Sequence, residues 1–286
     1  MMSKAVRLGL ALALPCMFVT ASSAWAQATA AKPASQPSAA QPSSAKPSAA
    51  KPAATQKPAD AAGLPSAQSI IDKHIEAIGG RKALQAHSSV AVKGSLTIPA
   101  NGMTGTVEMF AARPNKSFTK TTVAGIGDIS EGFDGKTAWS MSPMTGPMLA
   151  TGEELAQREF NSNFDRTLGM ADAYESMKTV EKTTFEGRPA YKLELKRKGG
   201  GTDIEFYDAE TGLKAGGIVE VKNQMGTITA ESALSEYKKF GDILQPTVIK
   251  QSASGTQIVL TFTDMVYDKV DPAVFELPAA IKALIK

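Results

Sequence analysis

Cysteine is nearly missing from this 286-residue chain, whose single example is Cys16. Histidine and tryptophan are almost as scarce, at two each, and aromatic residues make up only 6%. A lone cysteine excludes a disulfide framework and any multi-cysteine metal site. His74 and His87 have no acidic cluster beside them in the sequence. Zinc ordinarily takes three or four protein ligands, so neither a metal nor another cofactor is expected.

Catalytic signatures are also lacking. The chain has no H-E-x-x-H, no G-x-S-x-G, no P-loop and no G-x-G-x-x-G after a strand. Paired carboxylates are the remaining route to acid–base chemistry. Glu153 and Glu154 are adjacent, so on a helix they point in different directions and are better explained by the helix dipole. Asp203, Glu205 and Asp208 share one hairpin, where a solvated strand face is the expected role. No catalytic residue is therefore expected, and binding remains the candidate activity.

The N-terminus carries its own message. Lys4 and Arg7 precede an apolar run over residues 8–19, and Ala24-Trp25-Ala26 supplies a small-residue cleavage pattern. The run is shorter than the ~20 apolar residues that span a bilayer. These features predict a secretory signal peptide over 1–26, cut between Ala26 and Gln27, a periplasmic destination and no stable transmembrane segment afterwards. Cys16 would leave with it, and Ala13-Leu14-Pro15 before it do not form a lipobox. Residues 27–65 are mostly Ala, Pro, Ser, Gln and Lys, with Ala-Lys-Pro recurring at 31–33, 45–47 and 50–52. Such a composition cannot bury enough apolar surface to offset the entropy of ordering, so a disordered linker is expected, as a spacer or a passive tail.

Charge separates this tail from the rest. The chain is formally +3, and residues 1–65 hold six of the cations and only one acid, which leaves about −2 for residues 66–286. A weakly acidic domain is not a nucleic-acid binder.

Residues 66–286 are long enough for one domain with a core. Ala67, Ile70, Ile71, His74, Ile75 and Ile78 recur at helical spacing after a Ser66 cap, and Gly79-Gly80 ends the helix. A short turn over 81–86 follows. Strands are then predicted at 89–98, 104–112, 118–123, 129–133, 138–141, 178–185, 190–197, 202–208, 216–222, 228–237, 244–252 and 257–267, separated by turns such as Asn101-Gly102, Asp134-Gly135 and Thr211-Gly212. Eleven or twelve antiparallel strands in succession fit a strongly curved sheet or unclosed barrel, in a mainly β fold with some α.

Residues 142–177 interrupt that pattern. An apolar loop with Met144 and Met148 leads into an amphipathic helix near 153–160, expected to fold back as a lid. Methionine is unbranched and polarizable and suits a surface that repacks around variable ligands. Met141, Met144 and Met148 cluster near Trp139 and are expected to face ligand, as are Leu155, Phe160 and Phe164 of the lid. The sheet's contribution to the same cavity is expected from Val92, Leu96, Val107, Met109, Leu193 and Phe206.

Several segments together are similar to a known family. They are Ile70-Ile71-x-x-His74-Ile75-x-Ala77-Ile78-Gly79-Gly80, Phe133-Asp134-Gly135-Lys136-Thr137-Ala138-Trp139, Gly187-x-x-Ala190-Tyr191-x-Leu193, Asp208-x-x-Thr211-Gly212-Leu213 and Val274-Phe275-x-Leu277-Pro278. Over roughly residues 67–280 the chain resembles the LolA/LolB-like outer-membrane lipoprotein-sorting superfamily. The resemblance implies an unclosed antiparallel β-barrel with helices over its mouth and an interior that holds acyl chains. It also implies a lid-contacting arginine, for which Arg113 is the candidate. The expected function is an exported carrier of lipoproteins or other acylated ligands. The alternative is a cell-envelope interaction or lipid-sensing module, with a membrane protein of the envelope as partner.

Overall fold

The computed structural model describes residues 63–223 and 226–285. The expected signal peptide, its cleavage site, Cys16 and nearly all of the expected linker lie outside the described residues.

Helix α1 (Ala67–Ala77) starts where Ser66 accepts a hydrogen bond from the Ser69 amide and stops before Gly79, whose φ of +133° only glycine adopts freely. Its buried face is Ala67, Ile70, Ile71, His74 and Ile75, the spacing of one helical stripe. Helix α2 (Gly80–Ala86) follows. Six strands then run in succession: β1 (Ser89–Ile98), β2 (Met103–Ala112), β3 (Lys116–Val123), β4 (Gly127–Phe133), β5 (Ala138–Ser142) and β6 (Gly146–Leu149). Helices α3 (Gly152–Ser162) and α4 (Met170–Ala173) separate them from β7 (Tyr174–Phe185), β8 (Arg188–Arg197), β9 (Thr202–Asp208), β10 (Lys214–Asn223), β11 (Gly226–Phe240), β12 (Ile243–Ala253) and β13 (Thr256–Tyr267). A 3-10 turn, Pro272–Phe275, and α5 (Ala279–Lys282) close the chain, packing against β3 and β6 respectively. Among the described residues no helix is long and apolar enough to cross a membrane.

All thirteen strands form one antiparallel sheet, in the order β6-β5-β4-β3-β2-β1-β13-β12-β11-β10-β9-β8-β7. Twelve strands match those read from sequence. The extra one is β6, where Gly146 and Pro147 argue for a loop. Pro147 is tolerated there because β6 is an edge strand that pairs only with β5.

This order has a topological consequence. The chain leaves the sheet at the β6 edge and re-enters it at the β7 edge, so residues 150–173 must cross the sheet. The β1–β13 pairing then joins the two meanders in the middle, with Val90 opposite Tyr267 and Val92 opposite Met265.

Register assigns the side chains to two faces. One face carries Val90, Val92, Leu96 and Ile98 of β1 with Val107, Met109 and Ala111 of β2, and meets Ile249, Leu260 and Phe262 in one buried cluster. Farther along it, Leu193 and Leu195 of β8 and Tyr207 of β9 pack beneath Ile70, Ile71 and Ile75 of α1. The other face carries two aromatic groups. Phe110, Phe118 and Trp139 form a row with centroids 6.1 and 5.9 Å apart, and Phe185 stacks on Phe206 at 4.2 Å.

The sheet curls around the helix-bearing face. From β1 to β9 there are five strand steps, which on a flat sheet would separate them by about 24 Å. Val92 of β1 and Glu205 of β9 nevertheless line one small cavity. That face is therefore the concave one.

Candidate functional site

The cavity lies between α1, residues 161–170, the start of β7 and the strands β1 and β9–β13, and has a volume of about 120 Å³. Its two sides differ in chemistry. Ile78, Val90, Val92, Phe164, Met170 and Leu234 make an apolar wall. His74, Tyr174, Glu205, Tyr207, Lys214 and Arg166 make a polar one.

The polar wall is built on strand alternation. Tyr191, Leu193 and Leu195 of β8 stand opposite Tyr207, Glu205 and Asp203 of β9, so both acids point into the concave face. They are buried, and Asp208 is too, which corrects the expectation of a solvated strand face. Burial of a lone carboxylate is costly, and each of the first two has a partner. Glu205 is ion-paired to Lys214 Nζ across the β9–β10 hairpin and accepts a 2.5 Å hydrogen bond from the Tyr207 hydroxyl. Burial alone would push the Glu205 carboxyl up. The Lys214 charge and the hydrogen bonds from Lys214 and Tyr207 overcome it and hold the group down at about 2. Asp203 is gripped bidentately by Arg197 and accepts from the Tyr174 hydroxyl at 2.8 Å. Burial, then the charges of Glu205 and Asp203, push that tyrosine far above its ordinary value, so it remains a donor.

His74 reaches this wall from α1. Its ring meets Tyr207 edge-on at 5.3 Å. Burial, followed by the Lys214 charge, lowers it to about 4, so the imidazole is neutral at physiological pH. Its Nδ1 is buried and has no hydrogen-bond partner among the described residues.

The crossing segment closes the cavity like a strap, held at four points. Arg158 of α3 is buried against Glu131 of β4 and against Glu154 one turn earlier, both at 3.2 Å. Ser162 shares a 2.7 Å hydrogen bond with Ser117 of β3. Arg113, just after β2, donates two hydrogen bonds of 2.7 Å to Asp165, two more to the carbonyls of Gln85 and Leu84, and lies over the Phe164 ring at 5.4 Å. From β8, Arg197 donates to Gln157 of α3 and sits over the Phe160 ring at 5.3 Å.

Of the residues expected from sequence, Val92 and Phe164 line the cavity. Leu96, Val107 and Met109 lie on the same face in the adjoining core, and Leu193 lies beneath α1. Leu155 packs on Phe133 and Ala138, and Phe160 on Tyr174. Met148, paired with Ser140, lies on the concave side at the sheet edge. The structure does not bring the remaining four to the cavity. Trp139 and Met141 alternate with Ser140 and so lie on the opposite face, Phe206 does likewise beside Phe185, and Met144 is 61% exposed in the β5–β6 turn. Sequence reasoning missed the polar wall. A usable signal existed, because Asp203 and Glu205 fall in register with the apolar Leu195 and Leu193. Among the described residues no three His, Cys, Asp or Glu side chains converge to hold a metal ion.

Solved structures share this architecture. A LolA superfamily protein from Nitrosomonas europaea superposes with a TM-score of 0.50 at 16% identity, covering 75% of this chain and 99% of its own. A DUF1329 family protein from Desulfovibrio piger gives 0.50 at 12% identity, covering 73% and 97%. The fold is LolA-like. No protein-family model and no curated protein matches the sequence.

Proposed function

We propose that this domain is an exported binding protein or carrier for lipoproteins or other acylated, hydrophobic ligands, which it holds by burial rather than by reaction. The observation that carries this reading is the apolar-walled cavity on the concave face, closed by a strap that is pinned mainly through polar contacts. Each acyl methylene taken from water contributes about 0.8 kcal/mol, so a few of them suffice for useful affinity. The cavity's 120 Å³ is below the ~300–1,000 Å³ of ordinary small-molecule sites, so loading a full acyl chain requires the strap to move. Polar pins suit that movement, since water can replace them when the strap lifts. The signal-like residues 1–26 support a periplasmic location, and the LolA superfamily neighbour supports a carrier role at the level of fold.

The test is extraction. Full-length protein purified from the periplasmic fraction without detergent is measured by native mass spectrometry before and after organic extraction. Extractable lipid of defined mass, lost with the extraction and regained on adding lipid, is the expected result. Protein that arrives empty and takes up no acyl compound defeats the reading.

A further inference from the structure

Among the described residues that line the cavity, His74 has a buried polar atom with no partner. It sits on the inner stripe of α1, is more than nine-tenths buried, and lines the cavity. The Gly212 backbone lies beside the ring and acts to favour its protonated form, as a carbonyl facing an imidazole N–H does. The Gly212 amide is spent on the Asp208 carbonyl, so it is the Gly212 carbonyl that faces the imidazole. Neutral imidazole has one donor and one acceptor nitrogen. With its proton committed to Gly212, Nδ1 presents a bare lone pair, and no described residue donates to it. Buried polar atoms are almost always satisfied, and the exceptions call for a missing partner.

We propose that the cavity is specific for amphipathic ligands with a neutral hydrogen-bond donor at the head, an alcohol hydroxyl delivered to Nδ1 of His74, with the alkyl chain against Val90 and Val92. This rests on the hydrophobic-ligand reading above and adds the head-group class to it. The rest of the polar wall argues for a neutral head. Two cations line the cavity, Lys214 and Arg166, and both are engaged: Lys214 is ion-paired with Glu205, while Arg166 donates to Asn161 Oδ1 at 3.4 Å and lies over the Phe160 ring at 5.4 Å. A carboxylate or phosphate placed there would meet the Glu205 charge at close range. An ether or ester oxygen offers only lone pairs, which face the Nδ1 lone pair unfavourably. A hydroxyl donates to Nδ1 and satisfies the buried acceptor that the described residues leave open on the cavity wall. Long-chain alcohols and the free hydroxyls of partial glycerides have this chemistry.

The experiment is isothermal titration of the full-length protein with 1-decanol, decyl methyl ether and sodium decanoate, which share one chain and differ at the head. The expected order places decanol about fivefold or more tighter than the ether, the size of one net neutral hydrogen bond, with decanoate weakest. In H74Q, whose amide can still reach toward Gly212 but offers no atom in place of Nδ1, the alcohol should fall to the affinity of the ether while the ether is unchanged. Equal binding of alcohol and ether by the natural protein overturns the inference and leaves the hydrophobic-ligand reading standing. Decanoate binding tightest overturns it in favour of a cationic head-group site. Failure of all three to bind sinks the carrier reading itself. Should H74Q lose its fold by circular dichroism, the alcohol-to-ether ratio of the natural protein still decides.

Discussion

Arg113 and Asp165 face each other in a two-pronged ion pair, Nε to Oδ2 and Nη2 to Oδ1, each at 2.7 Å. The pair joins the end of β2 to the strap, and the Phe164 amide beside it donates to the Pro114 carbonyl at 3.1 Å. Such fork-to-carboxylate geometry is directional as well as charged, so lysine is a poor substitute.

Removing this pin should loosen the strap without unfolding the sheet. Both side chains are about a third exposed, which limits the loss in global stability to about 1 kcal/mol. R113K and D165N should both speed amide hydrogen exchange over residues 161–168 and accelerate ligand uptake. Exchange rates there equal to those of the natural protein would show that the strap is held elsewhere.

Glu205 and Lys214 are more severe. Both are almost completely buried, and removing one partner leaves an unpaired charge in the core. K214M should therefore cost about 3–5 kcal/mol in urea unfolding, while K214M combined with E205Q should recover much of that loss. Additive losses in the double variant would mean that the two groups do not act as a pair.

The contrast between these residues and β1 shows what sequence could reveal. In β1 the alternation Val90, Val92, Leu96, Ile98 states its own inner face, and burial follows it. In β9 the alternation Asp203, Glu205, Tyr207 looks solvated until β8 is set beside it. The cation that neutralises Glu205 lies nine residues away, brought over by a hairpin. Charge pairing is a property of register, and single-strand periodicity does not contain it. The strap was legible as an interruption, since 142–177 breaks the period-two pattern. Its path was not, because only the pairing order places β6 and β7 at opposite edges.

A pH dependence follows from His87. Its Nδ1 meets Asp268 at 2.7 Å and its Nε2 meets Asp242 at 2.8 Å, while the ring stacks on Tyr267 at 4.4 Å. Partial burial pulls the imidazole down, but the hydrogen bonds it donates to the Asp242 and Asp268 carboxylates, with their charges, outweigh that and raise it above 6.5. A raised folded-state value means that the stabilisation is fully present below about pH 6.5 and is lost as pH rises through the folded value. Urea midpoints should therefore fall between pH 6 and 8.5, and H87F should flatten that slope. On the acid side the sign reverses. Asp268 is held at about 2, chiefly by the Ser88 amide and then by His87, so its share disappears as pH falls from about 4 towards 2. A flat profile for the natural protein from pH 6 to 8.5 would remove His87 as the titrating clamp.

The last prediction concerns Trp139, the one tryptophan among the described residues. Sequence adjacency to Met141, Met144 and Met148 made it a candidate for the cavity. Pairing of Trp139 with Gly132, and of Gly132 with Phe118, instead sets it on the face away from the cavity. The indole lies against Gly132, where a Cβ would come within 2.9 Å of three ring atoms. G132A should accordingly push the ring off its seat, costing about 1–3 kcal/mol as overpacking does, and shift the emission to the red as the indole meets water. Ligand is a different matter. Decanol entering beside Val92 is separated from Trp139 by the sheet itself, so emission should stay constant while calorimetry records binding. A saturable emission change that tracks the calorimetric curve would place ligand on the Trp139 face instead of in the cavity.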